Sequence, residues 1–162
     1  MRRKRYGYDI CSSYTGFDYN EEQLIQLPTD LYLKYEQKFA DDIVALFIAS
    51  GCQYVTIGLP EIHINMIRKL MKVDTRGPMP ASILEKVLKL EDEDRLSMED
   101  FRIYLKYYIR GYISFFAYNK SHLSQLFLTE PIPFSAFFES PLSPEKLNQI
   151  ISNQHLSIIF EN

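Results

Sequence analysis

The sequence predicts an all-α, mainly helical protein, with short β-bridge segments, an irregular N-terminal arm and a proline-rich C-terminal tail. Three observations predict it. Apolar residues recur at spacings of three and four over residues 29–49, the period of a helix with one buried face. Helix start signals precede residues 29, 61, 81, 98 and 144. A run from 98 to 119 is aromatic nearly all round, as in a helix buried on several sides. The chain divides into an extended basic and aromatic arm (1–28), a helical domain (29–120) and a tail packed on that domain (121–162).

The elements follow in order. In the arm, Tyr6, Tyr8, Tyr14, Phe17 and Tyr19 recur without a helical period among Gly, Ser and Asp. Pro28-Thr29 opens the first helix. Leu31, Tyr35, Phe39, Ile43, Leu46 and Phe47 form its stripe, Glu36 falls outside the stripe, and Ser50-Gly51 ends it. Residues 52–59 read as a short β-like piece. Pro60-Glu61 opens a second helix to about Val73, followed by a turn at 74–78. A third helix covers 80–90, with Ile83, Leu84, Val87 and Leu88 inward. Glu91, Asp92, Glu93 and Asp94 form an acidic, solvated loop. Ser97 caps a fourth helix, with Asp100 at the third position of a capping box. Pro131, Pro133, Pro141 and Pro144 punctuate the tail. Ser143-Pro144-Glu145 starts a short helix, and 156–160 reads as a terminal strand or an apolar docking segment.

The order of these elements resembles a calmodulin-like EF-hand pair over about residues 36–110. Phe39, Ile43 and Phe47 are similar to an entering helix. Thr56-Ile57-Gly58-Leu59-Pro60-Glu61-Ile62 resembles the second half of a calcium loop. Leu96-Ser97-Met98-Glu99-Asp100-Phe101 repeats the same ending. The resemblance implies EF-hand-like helix pairs joined by short β-bridges, and a groove between them that takes an apolar segment. It also implies a degenerate pair. Calcium needs about six to eight oxygen ligands from fixed loop positions, with Gly at the sixth. Counting back from Glu61 places Ser50, Cys52, Tyr54 and Val55 where acids and Gly belong. The second loop is about two residues short by the same rule. No metal and no cofactor are expected.

Pseudo-EF-hand proteins include ciliary, centrosomal and cytoskeletal adaptors. Residues 89–101, with the aromatic run after them, resemble a centriolar-satellite regulator of tubulin polyglutamylation. The resemblance implies a cytoplasmic protein, associated with cytoskeleton or cilium. Two cysteines outside any metal spacing point to a reducing compartment. Tyr6-Gly7-Tyr8-Asp9 interrupts any apolar leader behind the basic start, and no apolar stretch is long enough to span a membrane.

Composition favours recognition over catalysis. The 162 residues include 12 Tyr and 11 Phe, an excess suited to interfaces. His63, His122 and His155 belong to no catalytic motif, so no catalytic residues are expected. Cys52 with a distant histidine leaves a thiol enzyme as the weakest alternative. Nucleic-acid binding is the stronger one. Arg2, Arg3, Lys4 and Arg5 concentrate positive charge in the arm, leaving −7 on the rest of a chain of net charge −3. The residues 60–73 and 80–90 would form a helix-turn-helix, but the second runs into four acids that repel phosphate. The expected function is a calcium-independent adaptor or scaffold subunit that holds another protein through an apolar groove or its tail. Tyr104, Tyr108, Tyr112, Phe115, Phe116, Phe134, Phe137 and Phe138 are the expected contact residues.

Overall fold

A period of two governs much of the chain that the helical period was expected to govern. The computed structural model describes residues 3–12, 29–70, 76, 79–128, 134–151 and 154–162. Among these residues, seven strands form one antiparallel sheet. They are β1 (Tyr6–Ser12), β2 (Tyr54–Ile62), β3 (Arg95–Ser97), β4 (Ile113–Asn119), β5 (Ser124–Leu128), β6 (Ser135–Ser140) and β7 (Gln154–Glu161), in the spatial order β3-β2-β4-β5-β6-β1-β7. The helices are α1 (Thr29–Ala49), α2 (Ile64–Leu70), α3 (Ala81–Leu88), α4 (Met98–Ile109) and α5 (Pro144–Ile150), with a 3₁₀ turn at Lys120–His122. The fold is therefore mixed α and β, and the all-α expectation, with its EF-hand-like helix pairs, is overturned. Where the resemblance needs a calcium loop and an exiting helix, β2 runs nine residues and pairs with β4.

The aromatic run 98–119 shows why. Its first half is helical, capped by the Ser97 hydroxyl, which accepts from the Asp100 N–H at 3.1 Å. Gly111 then adopts φ 81°. The Gly111 N–H donates to the Tyr108 carbonyl and the Tyr112 N–H to the Tyr107 carbonyl, a Schellman closure that glycine enters at no steric cost. Beyond it, Ile113, Phe115, Ala117 and Asn119 are buried while Ser114, Phe116 and Tyr118 are only partly so. That alternation is the signature of a strand with one covered face. The second expected helix also begins late, because β2 continues through a bulge between Gly58 and Glu61, with α2 starting at Ile64.

Other expectations match. α1 spans residues 29–49, and the Ser143 hydroxyl caps α5, with Pro144 in its first turn. Residues 156–160 lie in strand β7, at the sheet edge beside β1. Tyr14, Phe17, Tyr19, Pro131, Pro133 and the residues 71–75 and 77–78 lie outside the described residues.

The helices and the covered sheet face share one core. Phe47 on α1 meets Phe101 on α4 and Phe138 on β6, each at 5.3 Å between ring centroids, and Phe101 meets Phe115 on β4 at 6.3 Å. Leu147 of α5 and Val87 of α3 are fully buried in the same cluster. Truncating such a ring costs about 3–5 kcal/mol.

The start of α1 is turned from its expected stripe: Tyr32 and Glu36 are buried instead of Leu31 and Tyr35. The reason is a bidentate ion pair. Arg110, at the end of α4, donates to both carboxylate oxygens of Glu36, Nε at 2.8 Å and Nη2 at 2.7 Å. Both side chains are nearly inaccessible. Desolvation works to lower the Arg110 pKa, and the Glu36 hydrogen bonds and charge more than offset it, so the guanidinium stays charged. Arg76 donates to the Tyr32 hydroxyl at 2.9 Å beside this pair.

Two outcomes follow. Glu36→Ala or Arg110→Ala leaves a charge buried without its counter-ion and is expected to cost about 3–5 kcal/mol in urea unfolding. The double variant Glu36→Leu/Arg110→Met is expected to recover most of that loss; single losses under about 1 kcal/mol would contradict the assignment. The second outcome concerns alkaline pH. Burial pushes the phenols of Tyr8, Tyr32, Tyr104 and Tyr107 above the ordinary tyrosine value, because the phenolate cannot be solvated inside. The unfolded chain releases these protons near pH 10 while the folded chain holds them. Stability is thus fully present below about pH 10 and falls as pH rises beyond it. Thermal melts should show this decline, accompanied by late tyrosinate absorbance; a flat profile to about pH 11 would contradict it.

Candidate functional site

The other face of the sheet carries a continuous row of rings. Phe116 and Tyr118 come from β4, Phe127 from β5, Phe137 from β6 and Phe160 from β7. Centroid distances run 5.1 Å from Tyr118 to Phe116, 4.5 Å to Phe127, 6.4 Å to Phe137 and 6.4 Å to Phe160. None of the five belongs to the hydrophobic core, and Phe127 is 44% exposed. Among the described residues no helix contributes to this row. Strand β1 lies between β6 and β7, and it presents Gly7 beneath Phe160. A Cβ on Gly7 would collide with that ring, so glycine is what lets Phe160 lie across β1 toward Phe137.

Beside the row lies a cleft of about 400 Å³. Phe116 and Tyr118 line one part of it, and Gln125 and Glu139, paired in register across β5 and β6, line another. Arg5, Leu59, Asp92, Lys120 and Leu123 complete the rim. Glu139 is nearly buried, and Arg5 Nε stands 3.5 Å from its Oε2. Arg5 also lies 5.9 Å from the Phe160 ring centre, and Lys120 5.7 Å from that of Tyr118, both within cation–π range. Leu59 and Leu123 hold φ of 49° and 52°, a left-handed conformation that leucine rarely adopts. Leu59 is 79% exposed, an apolar side chain held out in water at the rim.

The expected contact residues divide sharply. Phe116 and Phe137 stand in the ring row. Tyr104, Tyr112, Phe115, Phe134 and Phe138 are buried in the core, and Tyr108 packs edge-on against Phe115 at 5.0 Å. Both Phe-Phe dipeptides are split by the strand: Phe115 and Phe138 face the helices, Phe116 and Phe137 face away. That splitting is the signal in the sequence from which the row could have been found. Tyr118, Gln125, Phe127, Glu139 and Arg5 are not among the expected contacts, because no strand was expected over residues 113–140 and because Arg5 comes from the opposite end of the chain.

Two arrangements bear on chemistry. His63 Nε2 lies 3.1 Å from the Ser114 hydroxyl, and its Nδ1 lies 3.9 Å from the Glu61 carboxylate. The second distance exceeds a hydrogen bond, and the Glu61 side chain is largely exposed, so it does not orient the imidazole as a catalytic triad requires. Cys52 is buried, and desolvation pushes its thiol pKa up despite an opposing, smaller effect of its hydrogen bond with Ser124, which disfavours the nucleophilic thiolate.

Among the described residues no helix is long and apolar enough to cross a membrane. No protein-family model matches the chain, and neither a curated protein nor a solved structure is found to match it.

Proposed function

We propose that this protein is a calcium-independent protein-interaction module, a scaffold or adaptor subunit that binds another protein on the open sheet face. The row of five rings carries the reading. Rings set side by side on a sheet offer a rigid, apolar platform that loses little side-chain entropy on binding, and aromatic residues dominate interface hot spots. The polar side chains of Arg5, Glu139, Gln125 and Lys120 in the cleft beside it are in keeping with the polar border of a protein interface. The raised Cys52 thiol and the loose contact between His63 and Glu61 support binding rather than catalysis. Cys11 and Cys52 are not joined in a disulfide, in keeping with a reducing, cytoplasmic setting.

A nucleic-acid reading has one observation in its favour. Arg3, Lys4 and Arg5 lead directly into β1, so a basic segment approaches a stacking platform of the kind that single strands use. Charge decides against it. Lys4 pairs with Glu161 and Arg5 with Glu139, and Asp92 lines the same cleft, so the face has no excess of positive charge to attract a polyanion.

The test is capture with full-length chain, wild type against Phe127→Ala, followed by direct binding to whichever purified protein differs. Phe127 is exposed, so its loss should leave the melting temperature nearly unchanged. The affinity of the purified pair should fall about 30-fold, as for a hot-spot residue. Equal binding by both forms would contradict the reading, and tight heparin retention lost by moderate salt would favour nucleic acid instead.

A further inference from the structure

The sheet has two edges, and they are built differently. At one edge β3 is three residues long and carries Arg95, the short, charged form that discourages pairing with another chain. At the other edge β7 runs eight residues, Gln154–Glu161, without a lysine, an arginine or a proline. Among the described residues no strand pairs with its outer side. Ile158 and Ile159 are 53% and 52% exposed there, in the apolar run 156–160 that the core and the ring row take up only in part.

The backbone of that edge is set by β1. Arg5 and Asn162 exchange hydrogen bonds in both directions, so Arg5 directs its N–H and C=O toward β7, and by alternation Gly7, Asp9 and Cys11 do the same. Ser157 and His155, opposite Asp9 and Cys11, point back at β1. Leu156 and Ile158 therefore turn their N–H and C=O groups outward, where no strand meets them among the described residues. The one irregularity lies past this stretch, because Tyr8 opposes Ile158 while Gly7 opposes Phe160. Leu156 opposes Ile10 and Ile158 opposes Tyr8, so both side chains stand on the helix side of the sheet, Leu156 against the core and Ile158 half in water.

We propose that β7 pairs with β7 of a second copy of this chain, antiparallel, across a two-fold axis. The strand's own pattern names the occupant. Its middle is apolar and its ends, Gln154-His155 and Glu161-Asn162, are polar, so reversing the strand matches apolar to apolar, as an isologous contact requires. Parallel pairing in register would set Glu161 beside Glu161 of the second copy, whereas antiparallel pairing parts the two carboxylates and turns each toward the His155 end of the other strand. Within the regular stretch, setting Ser157 opposite Ser157 lets Leu156 of each copy exchange both backbone hydrogen bonds with Ile158 of the other. The same register covers the half-exposed Ile158 of each copy with Leu156 of the other, so the two cores meet along the helix side. The two-fold axis stands perpendicular to the sheet, and both ring rows stay on one face of the joined sheets. The inference rests on β7 rather than on the ring row, so it stands or falls apart from the interaction reading above.

The experiment is sedimentation velocity of the full-length chain from about 1 to 500 µM, with amide hydrogen exchange at both ends of that range. One strand pair is a small contact, so a monomer–dimer equilibrium centred at about 10–100 µM is expected. The Leu156 and Ile158 amides should exchange freely at the low concentration and about fivefold more slowly at the high one, while those of His155 and Ser157, bonded to β1, stay slow at both. Ile158→Lys sets like charges into the contact and should weaken the dimer about tenfold or more. Ile158→Pro should do the same, since the N–H it removes points outward and is not used by β1. Slow exchange at Ser157 certifies that β7 is still folded in each variant. Should either variant unfold, the concentration dependence of the wild-type amides decides alone. Monomer mass throughout, or exchange at Leu156 and Ile158 that does not change with concentration, would overturn the proposal. So would a dimer that survives both Ile158 variants and dissociates with Phe127→Ala, which would place the contact on the ring face. Capture of a different protein by the ring face is tested separately by Phe127→Ala and is untouched by these results.

Discussion

A sheet covered on one side obliges each strand to divide its residues between an apolar interior and the other face. The core and the candidate site here are two results of that one constraint. In β4, Ile113, Phe115 and Ala117 enter the core, and their neighbours Phe116 and Tyr118 are turned outward by the same backbone. A register slip of one residue would exchange the two sets, burying Tyr118 and Ser114 and exposing Phe115. The helices fix the register by supplying rings that only one set can meet, as Phe47 and Phe101 do for Phe138 and Phe115.

The site joins three successive strands, β4, β5 and β6, to strands from the two ends of the chain. β1, first in sequence, is inserted between β6 and β7, and this brings Arg5 beside Glu139 and sets Gly7 under Phe160. The backbone of Arg5 and Asn162 exchange hydrogen bonds at 3.0 and 2.8 Å, so the two ends of the described chain are tied together next to the cleft. On the covered side, the Glu36–Arg110 pair joins α1 to the turn that launches β4. Core and site are thus linked through β4, whose entry is set by that pair and whose outward residues form one end of the ring row.

What could be read from the sequence is what depends on neighbours along the chain. The extent of α1, the Ser97 and Ser143 caps and the Ser50-Gly51 stop are local devices, and each is where the spacing puts it. The 98–119 run was ambiguous because Phe101, Tyr104, Tyr108, Tyr112 and Phe115 satisfy a helical stripe right through Gly111, and only the closure at that glycine ends it. Glu36 gave no sign of burial, since its partner lies 74 residues away. The site was harder still. Phe116 and Phe137 were named for being aromatic, but what brings them together with Glu139 is the pairing of the successive strands β4, β5 and β6, and what adds Arg5 is the pairing of β1 with β6 across the chain. No local pattern encodes the pairing of β1 with β6.

The two Phe-Phe dipeptides offer the most direct measurement of this two-faced arrangement. Each should be split by alanine substitution and chemical unfolding of the full-length protein. Phe115→Ala and Phe138→Ala should each cost about 3–5 kcal/mol, as for rings removed from a packed core. Phe116→Ala and Phe137→Ala should each cost about 1 kcal/mol or less. Equal losses within each dipeptide, or the reverse order, would show that the strands do not divide the rings in this way.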